Sequence, residues 1–189
     1  MHQVNVSPKA LVVKPDCPDQ TKPLLVFAIC FMELTDEYFM RLAFREALKA
    51  REQGEVPVGA VLIDGHQRLL AKGRNQTIAR SDPTMHAEIA ALRKAGRKVG
   101  NYRLLSTTLY VTVEPCFMCM GAIIHARVAR LVFGAHDPKW GAAGSLYDFA
   151  HDTRLNHQPE IVSGICGEDC RALMRGFFKD KRAQARRSL

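Results

Sequence analysis

The 189-residue sequence predicts an α/β domain in which one sheet carries helices on both faces. Three observations point there. Short β-branched and apolar runs alternate with longer stretches of helical period. Two of the runs, Thr108 to Val113 and Val128 to Phe133, read as strands buried on both sides. Glycine, proline or a capping residue punctuates the boundaries between them.

Organised structure is expected from Thr35, an N-cap followed by Asp36 and Glu37, two acids that favour a helix N-terminus. Phe39/Met40, Ala43/Phe44 and Ala47/Leu48 repeat at helical spacing as far as Gly54. A strand follows from Val58 to Ile63, and Asp64-Gly65 begins a turn into a second strand near Arg68 to Lys72. Asp82 is placed to cap the next helix, with Pro83 at its first position and Gly96 at its end. After the strand from Thr108 to Val113 comes Glu114-Pro115-Cys116 and a helix of small residues, Cys119 to Ala126. Val128 to Phe133 and Glu160 to Ile165 complete five strands. The final helix, Glu168 to Ala185, sets Cys170, Leu173, Met174, Phe177 and Phe178 on an apolar stripe.

The chain divides into a domain over 33–189 and an extension over 1–32, in which Pro8, Pro15, Pro18 and Pro23 interrupt every short apolar piece. The extension is expected to be poorly ordered, with Met32 as the functional start. Apolar residues make up 47% and charged residues 24%, an ordinary globular mixture. Of the net charge of +8, the stretch from Arg171 to Leu189 supplies +6, from seven basic residues and one acid. That is either a solvated helix face or a contact for a polyanion, nucleic acid ahead of membrane. The apolar run Leu24 to Met32 has nine residues, against about 20 needed to span a bilayer, so no membrane association is expected. Of the six cysteines, Cys116 and Cys119 form a C-x-x-C, which reads as metal ligands in a reducing, cytoplasmic setting. Cys17 and Cys30 read as bystanders, and Cys166 and Cys170 as packing residues.

The chemistry concentrates in His86-Ala87-Glu88 and, 27 residues on, Pro115-Cys116-Phe117-Met118-Cys119. Together, H-x-E and P-C-x-x-C are the signature of zinc nucleobase deaminases. Two cysteines three apart on a helix's first turn point the same way and can reach one metal, and the helix N-terminus helps both ionise. With His86 they make three ligands, leaving a fourth tetrahedral position for water. Zinc with two thiolates and a neutral imidazole sums to zero charge, so it acidifies water less than a three-histidine site does. A separate base is needed, and Glu88 fits that role. The competing arrangement is a closed zinc site, with His125, Cys166 or Cys170 as fourth ligand.

Glu55 to Val61, Asn75, Asp82 to Glu88, Asn101 to Leu104, Thr108 to Gly121, Phe133 to Lys139 and Gly141 to Ser145 resemble the bacterial tRNA-specific adenosine deaminases of the TadA type. The resemblance covers about Thr35 to Arg182. It implies a three-layer α/β/α, cytidine-deaminase-like fold around a five-stranded mixed sheet. It also implies one zinc per subunit, a homodimer, and conversion of adenosine to inosine at the wobble position of a tRNA anticodon stem-loop. By the same resemblance Asn75 would bond the purine edge and Val58 pack on the base. Asp137 and Lys139 would contact flanking nucleotides, and Phe178, with or instead of Phe177, would stack or wall the pocket. Trp140 departs from the family, which commonly has a smaller polar residue there. Two other readings stay open: a free-base or nucleotide deaminase of the guanine or riboflavin-pathway type, and a non-catalytic zinc-stabilised RNA-binding module.

Overall fold

A computed structural model describes residues 34–187. The extension over 1–32, with Met32, Cys17 and Cys30, lies outside the described residues. The elements run α1 (Asp36–Glu52), β1 (Gly59–Ile63), β2 (Leu69–Arg74), α2 (Thr77–Arg80), α3 (Ala87–Val99), β3 (Thr108–Val113), α4 (Phe117–His125), β4 (Arg130–Ala135), β5 (Glu160–Ser163) and α5 (Gly167–Arg187). The strands form one mixed sheet in the order β2-β1-β3-β4-β5. β1 is antiparallel to β2 and β3, while β3, β4 and β5 are parallel.

Alternation along the central strands builds two cores, because successive strand residues face opposite sides. Ala60, Leu62, Leu109, Val111, Leu131 and Phe133 pack with Ala87, Ala91 and Leu92 of α3 and Met120 and Ile123 of α4. The intervening Val61, Ile63, Tyr110 and Val132 pack with Phe39, Met40 and Ala43 of α1 and Cys170 of α5. The result is the expected three-layer α/β/α sandwich, with β1, β3 and β4 apolar on both faces because helices cover both.

Two packing details fix where the helices stand on the sheet. A Cβ on Gly73 of β2 would lie 2.0 Å from the Ala87 carbonyl oxygen, so only glycine lets the first turn of α3 sit this close to the sheet. At the start of α1, Asp36 accepts from both terminal nitrogens of Arg130 (2.7 and 2.8 Å) and from the Tyr110 hydroxyl (2.8 Å), tying the helix to β4 and β3.

The third helix differs from expectation at both ends. Asp82 and Pro83 shape a separate turn: Asp82 Oδ1 accepts from the Thr84 N–H (2.8 Å) and hydroxyl (2.7 Å), and the Met85 N–H bonds back to the Asp82 carbonyl (3.1 Å). α3 therefore begins after His86. It continues through Gly96 and stops at Gly100, which takes the left-handed conformation (φ 70°) suited to ending a helix. The expected stripe on α5 also narrows. Cys170, Leu173 and Phe177 are buried but Phe178 is 42% exposed, since neighbours on a helix point roughly 100° apart. The short α2 has too few residues to show a period in the sequence; buried Glu55 holds it by accepting from the Ala79 N–H (2.8 Å) and the Thr77 hydroxyl (3.0 Å).

Candidate metal centre

β3 runs through Glu114 and Pro115 to Cys116, which occupies the N-cap of α4, and Cys119 lies in that helix's first turn. His86 occupies the N-cap of α3. Both cap residues are extended (φ −75°, ψ 161° and φ −71°, ψ 170°), and neither side chain caps its own helix. The packing of α3 and α4 on one face of the sheet instead turns the three side chains toward each other. His86 Nδ1 lies 3.7 Å from Cys116 Sγ and 3.5 Å from Cys119 Sγ, and all three donor atoms fall within 4.8 Å of one another.

These spacings fit a zinc ion. Tetrahedral bonds of about 2.3 Å to sulfur and about 2.05 Å to nitrogen put N and S about 3.6 Å apart. Among the described residues no fourth His, Cys, Asp or Glu joins the group. The closed-site alternative thus finds no support there: His125 is exposed at the end of α4, and Cys170 is packed under β4 with its sulfur close to Gly134. Glu88 is 3% exposed, and its Oε2 is the one buried side-chain nitrogen or oxygen among the described residues that has no hydrogen-bond partner. A buried, unsatisfied carboxylate oxygen is costly unless a ligand completes it. That cost marks where a water or substrate proton belongs.

The electrostatics suit this reading. Burial raises the Glu88 carboxyl to about 6, against weaker opposition from the backbone and His86. A group in that range can both take and return a proton near neutrality. The hydrogen bond from Cys119 brings Cys116 down to about 4 against the effect of burial, with His86 assisting. The same bond, then burial, pushes the Cys119 thiol up. One thiolate is therefore already favoured, and a coordinated dication would remove the second proton outright.

Asn75 also has a structural duty beside the site. Its Oδ1 accepts from the Ala87 N–H (2.9 Å), capping α3 in place of the His86 side chain, and its own N–H donates to the Val58 carbonyl (3.1 Å). With the oxygen engaged, the amide nitrogen is the half of the group left to meet a ligand. Val58 thus adjoins Asn75 and packs, half-buried, on the core beneath α3. Asp137 is half-buried and its Oδ1 accepts from the N–H groups of Lys139 (2.9 Å) and Trp140 (3.3 Å); the Lys139 side chain is exposed. Phe178 packs edge-on against Phe177 on α5, linked to the centre by none of these bonds.

A residue that sequence reasoning passes over organises the neighbouring loop. Glu114, with its side chain wholly buried, accepts from the N–H groups of Asp137, Ala143 and Ser145 (3.0 Å each) and from the Ser145 hydroxyl. Burial alone would raise its pKa, but these bonds, led by Ser145, hold it below the ordinary carboxylate range. The loop is pinned further by a bridge between Cys116 and Gly141 and by the Ala142 N–H on the Pro115 carbonyl (2.9 Å). A Cβ on Gly141 would fall 2.4 Å from Glu114 Cδ, so glycine is required there. The one local signal is an acid ending an otherwise apolar strand.

Known proteins share this arrangement. Residues 33–135 match the family model of the cytidine and deoxycytidylate deaminase zinc-binding region. The tRNA-specific adenosine deaminase of Haemophilus influenzae is 50% identical over 149 residues, 79% of this chain and 86% of that protein. That of Bacillus subtilis is 42% identical over 157 residues, 82% of this chain and 97% of that protein. A solved tRNA:A34 deaminase, from work on A-to-I editing at the wobble position of transfer RNA, superposes with a TM-score of 0.70 at 43% identity over 72% of this chain and 98% of its own. With the His86, Cys116 and Cys119 cluster and buried Glu88 falling inside the matched region, the chain belongs to the zinc-binding cytidine and deoxycytidylate deaminase family, among its tRNA-specific adenosine deaminases.

Proposed function

We propose that this enzyme hydrolyses adenosine to inosine at the wobble position of a tRNA anticodon loop, with one zinc per subunit held by His86, Cys116 and Cys119. The observation that carries the reading is the three-donor cluster beside a buried carboxylate that lacks a partner. When bound, the zinc ion supplies the Lewis acid that makes water nucleophilic near neutral pH. The protein's own groups do the rest. Glu88 takes one proton from the attacking water and passes it to the purine ring nitrogen, then takes the second from the new C6 hydroxyl and delivers it to the departing amine. The C6–O bond forms, the C6–N bond breaks, and inosine and ammonia leave. Asn75 fixes the start of α3 and offers its amide nitrogen to the purine, with Val58 beneath the base. Asp137 and Lys139, on the loop that Glu114 pins, meet the flanking nucleotides, and Phe178 walls the outer side.

An anticodon loop suits such a buried centre because its bases are already unstacked and can be splayed out at low cost. Every residue from Phe178 to Arg187 on α5 is exposed, among them five basic side chains available to stem phosphates. A homodimer would find an apolar groove of ≈ 640 Å³ between α3 and α4, lined by Ile89, Leu92, Tyr102, Leu104 and Ala122. The cytoplasm suits the unpaired state of Cys116, Cys119, Cys166 and Cys170, and no helix among the described residues is long and apolar enough to cross a membrane. The test is incubation of zinc-loaded protein with wobble-adenosine tRNA, free adenosine and guanine, assaying inosine and ammonia. Inosine in tRNA alone, falling steeply with added salt, is the expected result. Ammonia from guanine, or none from any substrate, would overturn the assignment.

A further inference from the structure

We propose that Phe117 and Trp140 form an aromatic platform that stacks an unpaired nucleobase flanking the target adenosine. The proposal rests on the RNA-loop reading above. Trp140 is the chain's single tryptophan, and it is 58% exposed; Phe117 is 46% exposed. Their rings lie 5.7 Å apart, centroid to centroid, at an angle of 38°. Two large rings held together in solvent forfeit burial that a partner would restore.

Their place on the molecule identifies that partner. Cys116 and Gly141 form an antiparallel bridge, so Phe117 and Trp140 are the next cross-bridge neighbours, with Phe117 one peptide away from Cys116. The pair is preset. Trp140 donates its N–H to Asp137 Oδ1 (3.3 Å), Gly141 donates to the Asp137 carbonyl (2.8 Å), and Glu114 anchors both flanks of the loop. Little ordering remains to be done on binding, which favours affinity. The exposed Lys139 ammonium beside Trp140 complements a phosphate backbone, and the chain's net charge of +8 favours the same polyanion. Stacking uses the face that every base presents, so the platform orients the neighbour without dictating its identity. The purine pocket then selects the adenosine, and the platform sets where the strand turns as that base leaves its stack.

Full-length zinc-loaded protein is titrated with a labelled anticodon stem-loop RNA, following RNA anisotropy for binding and tryptophan emission for stacking. Two further RNAs lack the base 5′ or 3′ of the target. RNA binding should quench the emission, and one of the two abasic RNAs should abolish the quenching. W140A should raise KM about tenfold on the intact RNA, the loss falling in KM and not kcat, with W140F recovering most of it. On the abasic RNA that no longer quenches, the W140A penalty should vanish. RNA that binds with unchanged emission, or a penalty equal on all three RNAs, overturns the platform while leaving the deaminase reading intact. Quenching with no inosine formed sinks the deaminase reading and supports the platform. Absence of any RNA binding sinks both. Emission that shifts with protein concentration and ignores RNA assigns the surface to a second copy and overturns the proposal.

Discussion

The helices on the two faces of the sheet begin in different ways. α1 opens with Thr35, whose hydroxyl accepts from the Tyr38 N–H (3.3 Å), and Asp36 then locks the first turn to Arg130 and Tyr110. α3 and α4 open with His86 and Cys116, whose side chains satisfy none of their own helix's free N–H groups. Thr35 stabilises its helix by capping it. His86 and Cys116 instead turn toward each other and Cys119, and Asn75 caps α3 from outside. Self-capping and donor presentation are thus separated across the sheet: α1 is capped by its own N-cap side chain, while α3 and α4 turn theirs to the donor cluster.

The separation can be broken experimentally, most strongly at Glu88. E88Q should lower kcat about a thousandfold with zinc content unchanged by metal analysis, because it removes the proton carrier and no ligand. A variant that kept most of its rate would shift the proton work elsewhere. Removing zinc with a chelator should lower Tm by several degrees and speed amide exchange in the first turns of α3 and α4, leaving α1 protected. Uniform loss of protection would mean that the two faces fold as one unit. N75A should cost about 1 kcal/mol in urea unfolding and also lower activity, since it uncaps the helix that carries His86 and Glu88. T35A should cost a similar ~1 kcal/mol yet leave kcat/KM within about twofold. Last, D36N should flatten the acid limb of stability. The bond from Arg130, more than that from Tyr110, holds Asp36 below the ordinary carboxylate range against burial. Its contribution is complete above the unfolded value of about 3.9 and fades as pH falls through the folded one. Urea midpoints of the two proteins should therefore begin to converge as pH falls below about 4 and meet only below the folded value; parallel curves would remove Asp36 from the account.

How much the sequence discloses depends on the range of each signal. β3 is legible to the residue because Thr108 to Val113 is made wholly of β-branched, aliphatic and aromatic residues and Glu114-Pro115 follows it. The His86, Cys116 and Cys119 cluster is legible because two of its members stand at the short spacing that a helix's first turn brings together. The start of α3 is easily misread because Asp82-Pro83 has the composition of a helix start, while the turn closed by Asp82 on Thr84 leaves His86 to begin it. Of two glycines available to end that helix, only Gly100 has the left-handed backbone, and composition does not distinguish it from Gly96. Glu114 is hard to read for another reason. Its partners lie 23 to 31 residues away, and an acid at a strand's end does not say which distant loop it closes.

Gly73 carries a consequence for how such a centre can vary. The carbonyl oxygen of Ala87 occupies the space its Cβ would need, so the separation of α3 from the sheet and the separation of His86 from the two cysteines are a single mechanical parameter. A methyl group at position 73 would push the first turn of α3 away from the sheet and carry His86 away from the two cysteines, while the strands stay paired. Damage at this buried spacer would register as a folded protein whose three donor atoms no longer converge.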